Sequence, residues 1–343
     1  MNISVATVDN ATLEALVSPM ISVAVPVIYI VVFVISTPCN FIALILLCGL
    51  TKCTTPTRIY SINLCLADLL YSIMLPLQVD YHLRSNDWIF GTVACGISTA
   101  AFYCNMYCTI LTTCAIALDR YYGVVHPLES RYVRSTRKAI LTCLLIWTVV
   151  LAFQIPFFLY SFTRFIPQLN VTTCFDVLPK KAFQGWKGYL YFTAIYLLFY
   201  VLPMVVLVSC YCAVVSALRQ KPDIGSPRSY KRTKALVTVA ACCFIICYLP
   251  GMIIQPIQMV YRSKGRSVYA YYKLTLGLNS LNCCFDPFVY YIASRELQQA
   301  LSRVLVQWIR CPKVCGFGRS RTVGGSNAQS CVQASTKTWQ RKM

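Results

Sequence analysis

The chain has 343 residues, of which 57% are hydrophobic and only 12% charged, and its mean hydropathy is +0.60. Soluble chains of this length are far less apolar, so the composition predicts a membrane protein. The net charge of +20 could suggest a nucleic-acid binder, but the basic residues lie between long apolar runs rather than over a polar surface, and no nucleic-acid partner is expected.

Seven apolar runs follow one another along the chain, each long enough to cross ~30 Å of hydrocarbon as a helix. They cover residues 21–47, 59–79, 93–118, 139–161, 189–214, 235–258 and 273–293. The pattern predicts an all-α membrane protein, a seven-transmembrane helix bundle over residues 21–293 that follows a short tail of residues 1–20.

The distribution of Lys and Arg residues predicts the orientation of this bundle in the membrane. With the N-terminus outside, the cytoplasmic segments hold 22 of the 31 basic residues, as the positive-inside rule requires. Three glycosylation sequons, at Asn2, Asn10 and Asn170, all fall on the external side. We therefore predict a multi-pass protein of the plasma membrane with an extracellular, glycosylated N-terminus.

The positions of the cysteines agree with the predicted membrane topology. Of the 20 cysteines, only Cys95 and Cys174 lie outside, where the surroundings are oxidising, so one disulfide between them is predicted. The other cysteines lie within helices or face the cytoplasm and are expected to be free thiols or small apolar fillers.

A helical pattern of Leu, Val, Trp and Arg follows the seventh run over residues 294–310 and predicts an amphipathic helix that contacts membrane lipids at the inner surface. Cys311 and Cys315 come directly after it and are candidates for palmitoylation. Residues 311–343 are rich in Ser, Thr and Gly and are expected to form a disordered cytoplasmic tail.

Ionisable groups inside a bilayer are costly and are candidates for function. Asp68 lies in the second run and Asp286 in the seventh, among polar side chains that could ligate a small hard cation or share a proton. A purely structural hydrogen-bond network is the alternative. A channel or transporter lined by these two acids is another alternative, although the inverted repeats typical of transporters are absent from the sequence. The only histidines, His82 and His126, fall in predicted loops, are expected to be solvated, and indicate no enzyme.

An ordered series of motifs resembles the class A, rhodopsin-like G-protein-coupled receptors. The motifs are Asn40, Leu66-Ala67-Asp68, Trp88-Ile89-Phe90-Gly91 before Cys95, Asp119-Arg120-Tyr121, Pro127-Leu128, Trp147, Pro203 with Tyr211, Phe244 through Cys247 to Pro250, and Asp286-Pro287 to Tyr290. The Asp286-Pro287 pair resembles the branch with purinoceptors, protease-activated receptors and lysophospholipid receptors, nearest to the type-eight purinoceptors.

The resemblance implies a conformational switch. Arg120 would pair with Asp119 at rest and meet the G protein when released, while Tyr211 and Tyr290 would swing toward the space that Arg120 leaves. Pro203, Pro250 and Pro287 would act as hinges. The implied switch residues are Asp119, Arg120, Tyr121, Tyr211, Phe244, Tyr248, Pro250, Asp286, Pro287 and Tyr290. A sodium ion, the only cofactor expected, would favour the resting state from a pocket of Asp68, Asn105, Thr109, Asn282 and Asp286.

Differences from the family motifs restrict the classes of ligand that this chain is expected to bind. Phe102 replaces the acid of amine receptors, and Ser280 replaces the retinal-bearing Lys of opsins. Met252 and Gln255 stand where nucleotide receptors usually carry His and a basic residue, which argues against simple nucleotides.

The outer face is itself basic and has many aromatic residues behind it, which favours an anionic ligand of lipid-derived or nucleotide-like character. Lys273 and Tyr103 are the principal candidates to contact this ligand. The predicted pocket residues are Phe102, Tyr103, Tyr107, Met252, Gln255, Lys273 and Leu276.

The partners implied by the resemblance are an extracellular anionic small-molecule or lipid ligand and a heterotrimeric G protein of the G12/13 or inhibitory class. Arrestin and receptor kinases are further implied partners. A non-signalling scavenger receptor is an alternative, but the intact Asp119-Arg120-Tyr121 sequence and Tyr290 argue against it.

Overall fold

A computed structural model describes residues 4–5, 8, 10–50, 55–177, 186–220, 227–263, 268–293, 297–299 and 301–302. The helices are α1 Asn10–Leu16, α2 Val25–Ile45, α3 Pro56–Ser72, α4 Leu75–Leu83, α5 Gly91–Val125, α6 Pro127–Val133, α7 Thr136–Leu159, α8 Trp186–Tyr196, α9 Leu202–Gln220, α10 Pro227–Cys247, α11 Leu249–Ser263, α12 Tyr269–Ser280 and α13 Asn282–Ala293. Wider, π-helical turns at Met20–Ala24, Leu46–Leu50 and Leu197–Val201 join or extend them, and the strands are β1 Ser4–Val5, β2 Thr163–Ile166 and β3 Val171–Cys174.

Six continuous helical stretches are long and apolar enough to span a membrane: Thr12–Gly49, Pro56–Leu83, Gly91–Val125, Thr136–Leu159, Gly188–Arg219 and Lys234–Tyr261. The seventh predicted span corresponds to α12 and α13, which meet at a turn at Leu281. The predicted bundle of seven helical spans is therefore confirmed. Most of these stretches extend beyond their apolar runs at both ends, because the hydrocarbon sets only the length of the apolar part.

Side-chain caps and prolines set the helix boundaries. The hydroxyl of Thr55 accepts from the backbone N–H of Arg58, and Ser135 does the same for Lys138, which satisfies donors that a helix start leaves unpaired. Pro250 cannot donate a backbone bond, and the sixth span changes from α10, which ends at Cys247, to α11, which begins at Leu249.

Pro287 has a different effect in the seventh span. A proline inside a helix leaves the carbonyl four residues earlier without its donor, and here that carbonyl belongs to Cys283. Asn40 of the first span donates to the Cys283 carbonyl at 3.0 Å. The first span thereby supplies the bond that Pro287 cannot make, and the two helices are joined at this level.

The third span, α5, is the central helix. In its apolar window 72% of the residues are buried, against 28–44% in the other five continuous spans. It packs against the second, fourth and fifth spans. Trp147 of the fourth span donates to Asn63 of the second, which in turn donates to Thr112 of the third, each at 2.8 Å. The third span is therefore the helix around which the second, fourth and fifth spans pack.

A small sheet covers part of the outer end. Strands β2 and β3 form an antiparallel hairpin in which Thr163 faces Cys174, and β1 adds in parallel beside β2. Cys174 forms the predicted disulfide with Cys95, which fixes the hairpin to the head of the third span. Gly91, with a φ of 80°, provides the left-handed turn from which that span starts.

The predicted tail of residues 1–20 contains the helix α1, which the sequence did not predict. The side-chain amide of Asn86 donates to the carbonyl of Leu16 at 2.7 Å. Leu16 also packs with Ile21, Ile166 and Tyr269 in one buried cluster. The tail is thus part of the folded outer end.

His82 was expected in a solvated loop, and this expectation is wrong. The second span continues through α4 to Leu83, so that His82 is buried and its Nδ1 lies 2.5 Å from the side-chain oxygen of Asn86. Near the C-terminus, residues 297–299 and 301–302 are helical and Leu297 is buried. The rest of the predicted helix 294–310, together with Cys311 and Cys315, lies outside the described residues.

Candidate functional site

A buried ion pair stands at the outer end of the bundle. Nζ of Lys273 lies 2.6 Å from Oδ1 of Asp176, and both side chains are almost fully buried. The hydroxyl of Tyr269 donates to the same oxygen at 2.5 Å, and the hydroxyl of Tyr81 donates to Oδ2. One loop carboxylate is therefore held by three donors from the second and seventh spans.

This environment keeps Asp176 ionised. Burial by itself raises the pKa of its carboxyl, but the charge of Lys273, the nearby His82 and the hydrogen bonds from Lys273 and Tyr269 together outweigh that effect, and the pKa of Asp176 lies below its usual range. Lys273 is therefore a partnered cation and not an open positive group on the rim. Arg84 also has an acidic partner, since its Nε lies 2.6 Å from Asp80, although this pair is exposed. The sequence-based picture of a basic outer face is thus weakened at these two positions.

Tyr103, the other principal candidate, lies in an aromatic layer. Its ring stacks on Phe157, with centroids 5.5 Å apart, and meets Phe175 edge-on. Its hydroxyl is 3.3 Å from that of Tyr272, the residue before Lys273. Phe175 is likewise the residue before Asp176. The aromatic layer and the ion pair are therefore neighbours in sequence both at Phe175-Asp176 and at Tyr272-Lys273.

The remaining predicted pocket residues line the same outer half. Tyr107 is buried and stacks on Phe199 of the fifth span at 4.2 Å. Phe102 meets Tyr71 edge-on at 5.6 Å. Met252 and Leu276 are buried, and Gln255 is half-buried. The predicted pocket residues other than Lys273 and Gln255 are therefore aromatic or apolar, and they lie beside the Lys273–Asp176 group.

The two intramembrane acids lie together, as predicted. Asn105 donates to Asp68 and Asn282 donates to Asp286, each at 2.8 Å. The carboxyl groups of Asp68 and Asp286 lie within hydrogen-bonding reach of each other. Two acids this close in a buried site require a shared proton or a cation between them.

The chemistry of this group fits a sodium ion. Oγ1 of Thr109 is buried and has no hydrogen-bond partner among the described residues, so it is an available oxygen ligand. Carboxylate, amide and hydroxyl oxygens are the donors that hard cations prefer. Asp68, Asn105, Thr109, Asn282 and Asp286 would hold the ion, whose single positive charge would offset the charge of one of the two acids.

At the cytoplasmic end, Asp119 has a partner that the sequence did not predict. Arg134 binds its carboxylate through two bonds, Nε to Oδ1 at 2.8 Å and Nη2 to Oδ2 at 3.0 Å. Nε of Arg120 is farther away, at 3.8 Å. The predicted Asp119–Arg120 pair is present, but the shorter, two-bond pair is with Arg134.

Space for Arg134 is provided by Gly123, one turn after Asp119. A Cβ atom at position 123 would lie 2.8 Å from Nη1 of Arg134. Arg120 itself donates to the hydroxyl of Thr57 in the second span. The two arginines therefore approach one carboxylate from different sides.

Five of the ten predicted switch residues line one internal cavity toward the cytoplasmic end. Its lining includes Arg120, Tyr211, Phe244, Tyr248, Asn282 and Asp286. Tyr248 and Phe244 are in ring contact at 5.3 Å. The hydroxyl of Tyr121 lies instead against His126, at 3.0 Å from Nε2. The side chain of Tyr290 lies outside the described residues.

Of the predicted glycosylation sites, Asn10 and Asn170 are exposed. Asn170 lies in the turn of the β2–β3 hairpin with a φ of 52°. Asn2 lies outside the described residues. Both described sequons are on the same side of the bundle as the disulfide, which is consistent with the predicted topology.

The roles of Asp176, Tyr81 and Tyr269 around Lys273 were not predicted. One signal could have indicated Asp176: it follows Cys174 by two residues, and the predicted disulfide ties that segment to the third span. Nothing comparable in the sequence marks Arg134.

Comparison with known proteins gives one family. The model of the family described as "7 transmembrane receptor (rhodopsin family)" matches residues 39–290, a range that includes both intramembrane acids.

Individual relatives agree with this match. The human S-geranylgeranyl-glutathione receptor is 38% identical over 301 residues, covering 87% of this chain and 83% of the relative. The type-eight purinoceptor from Gallus gallus is 36% identical, with coverage of 86% and 84%. Proteinase-activated receptor 1 from Xenopus laevis is 36% identical over 316 residues, with coverage of 91% and 73%. These relatives lend no support to a channel or transporter.

Proposed function

This chain belongs to the rhodopsin family of seven-transmembrane receptors, and we propose that its ligand is an anionic amphiphile that binds in the outer half of the bundle. As a member of this family it is a multi-pass plasma-membrane protein that binds an extracellular ligand and acts on heterotrimeric G proteins. It is a signalling receptor and not an enzyme.

The observation that carries the proposal is the position of Lys273. Its ammonium group lies 6.0 Å from the ring centre of Tyr269 and is paired with Asp176, next to the aromatic layer of Tyr103 and Phe175. A lysine beside aromatic rings favours a ligand with one acidic end, which takes the place of its present partner, and a long apolar body. The name of the human relative states a ligand of this chemistry, a prenyl chain attached to a peptide with two carboxylates.

Signal transfer would pass along the third span. Tyr103 and Tyr107 stack in the outer half, with centroids 5.8 Å apart, and Tyr107 continues to Phe199 of the fifth span. A ligand that moves these rings shifts the packing of the fifth and sixth spans, and Tyr248 passes the shift to the inner cavity. Arg120, at the inner end of that cavity, is the group that meets the G protein.

The test is a panel of G-protein activation sensors in cells that express the receptor at a measured surface level. S-geranylgeranyl-glutathione, lysophospholipids and nucleotides serve as challenges, and Arg120→Ala is the control that reaches the surface without signalling. We expect a response to the prenylated conjugate or a lysophospholipid. A strong response to simple nucleotides alone would overturn the proposal.

The same panel tests the G-protein class. The family branch supports G12/13 or the inhibitory class, and a response confined to other classes would refute this. Arrestin and receptor kinases are proposed partners, because the Ser/Thr-rich segment 311–343 offers phosphorylation sites. We further propose palmitoylation at Cys311 and Cys315 and an extracellular N-terminus, the latter on the charge bias and the external sequons.

Sodium is proposed as an allosteric ion at Asp68, and its charge would hold the two acids together. Replacing sodium by choline in the medium should raise agonist affinity in the wild type. The change should vanish in Asp68→Asn and persist in Asp80→Asn, which removes an exposed acid. Equal sodium dependence in both variants would exclude a site at Asp68.

A further inference from the structure

Three hydrogen-bond donors around Asp176 form a group that we call the carboxylate cradle, made of Lys273, Tyr269 and Tyr81. We propose that this cradle is the binding site for a carboxylate of the ligand, and that Asp176 occupies it in the ligand's absence. The inference rests on the proposed function and assigns the ligand's acidic group and its contacts.

The geometry selects a carboxylate. One oxygen of Asp176 accepts hydrogen bonds from Lys273 and Tyr269, and the other accepts one from Tyr81. The donors therefore match the two oxygens of one planar carboxylate. One cation is present among the described donors, which balances one negative charge. A phosphate would bring a third oxygen and up to two charges to a site with donors for two oxygens and a single positive charge.

The cradle itself belongs to the bundle, whereas its occupant comes from a loop. Lys273 and Tyr269 are on α12, and Tyr81 is on α4. Asp176 follows β3 at the end of the hairpin, which the disulfide at Cys174 ties to the third span. A ligand carboxylate can therefore replace Asp176 without the donors leaving their helices.

The aromatic layer next to the cradle agrees with this arrangement. Phe175, the neighbour of Asp176, lies against Tyr103, and Tyr272, the neighbour of Lys273, meets the hydroxyl of Tyr103. When Asp176 withdraws, Phe175 must move from the ring of Tyr103. Binding of the acidic group is thus coupled to the aromatic side chains that lead into the bundle.

A tethered occupant lowers the apparent affinity for any free carboxylate. A group on a short tether competes at an effective concentration on the order of millimolar. A free carboxylate binds only the fraction of molecules in which Asp176 has left the cradle, and its apparent affinity is reduced by that fraction. Replacing Asp176 by the isosteric Asn keeps its size and removes its charge. We expect the concentration of S-geranylgeranyl-glutathione for half-maximal signalling to fall about tenfold or more in Asp176→Asn.

Two comparisons separate this inference from a purely structural ion pair. The dimethyl ester of the conjugate should gain nothing in Asp176→Asn, and Lys273→Gln should reduce the potency of the free acid to that of the ester. Equal shifts for acid and ester would show that Asp176 only holds the loop, and would overturn the proposal.

A second experiment needs neither a ligand nor signalling. Purified full-length Asp176→Ala should melt at a lower temperature than the wild type, because Lys273 is left buried without its partner. Sodium acetate should restore most of the loss relative to sodium chloride at the same ionic strength. Two controls should show no change in melting temperature with acetate. One is Asp80→Ala, which removes an exposed ion pair on the same face, and the other is the double variant Asp176→Ala with Lys273→Gln.

The outcomes are distinct. Acetate rescue without any cellular response to the conjugate would retain the cradle and reject the proposed ligand. A response to the conjugate, with neither acetate rescue nor an acid-specific shift, would retain the proposed function and reject the cradle. Rescue by phosphate as strong as rescue by acetate would overturn the assignment of a carboxylate.

Discussion

Replacing Arg134 by Gln tests how the cytoplasmic end sets the resting activity of the receptor. Asp119 has one carboxylate, which binds Arg134 through two bonds and leaves Arg120 at 3.8 Å. Without Arg134 the carboxylate is free to bind Arg120 fully and to hold it away from the G protein. We therefore expect Arg134→Gln to lower basal signalling.

The magnitude follows from the burial of the pair. The side chain of Asp119 is 6% exposed and that of Arg134 is 31% exposed. Exposed ion pairs contribute about 0.2–1 kcal/mol, and hydrogen bonds to charged groups contribute about 1.5–3 kcal/mol. A partly buried, two-bond pair should contribute about 1–2 kcal/mol, and this amount changes a two-state ratio by a factor of about 5–30.

The assay is basal G-protein activation normalised to surface expression, measured as a double-mutant cycle. Arg134→Gln should have little further effect in an Asp119→Asn background, because the shared carboxylate charge is then gone. Arg137→Gln, the same charge change at an exposed neighbouring position, is the matched control. An increase in basal signalling, or an equal effect of Arg134→Gln in both backgrounds, would refute the competition between the two arginines.

Three other predictions concern local contacts. Asn40→Ala removes the donor to the Cys283 carbonyl and should lower the free energy of unfolding by about 1–3 kcal/mol. Its melting temperature should be lower than that of the control Cys39→Ala. Equal melting temperatures of the two variants would contradict this. Asn170→Gln should abolish one glycosidase-sensitive shift in gel mobility, and an unchanged band would mean that this sequon is not used. The pKa of Asp176 is lower in the folded protein than in the unfolded chain. The ionised carboxylate therefore contributes its full stability above the unfolded pKa of about 3.9. This contribution is lost as the pH falls through the lower, folded value. The difference in melting temperature between wild type and Asp176→Asn should therefore be constant from about pH 5 to 7 and shrink below about pH 4; a constant difference down to about pH 3 would refute the ion pair.

The seven spans could be predicted because hydrocarbon thickness imposes a length that apolar runs record directly. The same argument explains the errors at helix ends. The third span runs from Gly91 to Val125, although its apolar run covers residues 93–118, since a helix continues in water wherever caps and neighbours support it. The helix α1 within the N-terminal tail was missed for this reason.

The intramembrane acids could be predicted as a group because Asp68 and Asp286 occupy family motifs in known spans. The Lys273–Asp176 pair was only partly predictable: the disulfide places the segment of Asp176 near the third span, but the direction of its side chain depends on the β2–β3 hairpin. Arg134 could not be predicted. Its position depends on α6 and on the missing Cβ atom of Gly123, and neither feature leaves a pattern in the sequence.

The N-terminal tail is fastened to the rest of the protein by strand pairing at Ser4 and Val5, by the Asn86 bond to Leu16, and by apolar contact with Tyr269. Tyr269 also donates to Asp176, so the tail and the proposed ligand site share a residue. Exchanging this tail for that of another receptor would therefore alter the response to ligand as well as the outer surface. Comparisons of potency between such chimeras would have to include the tail as part of the binding site.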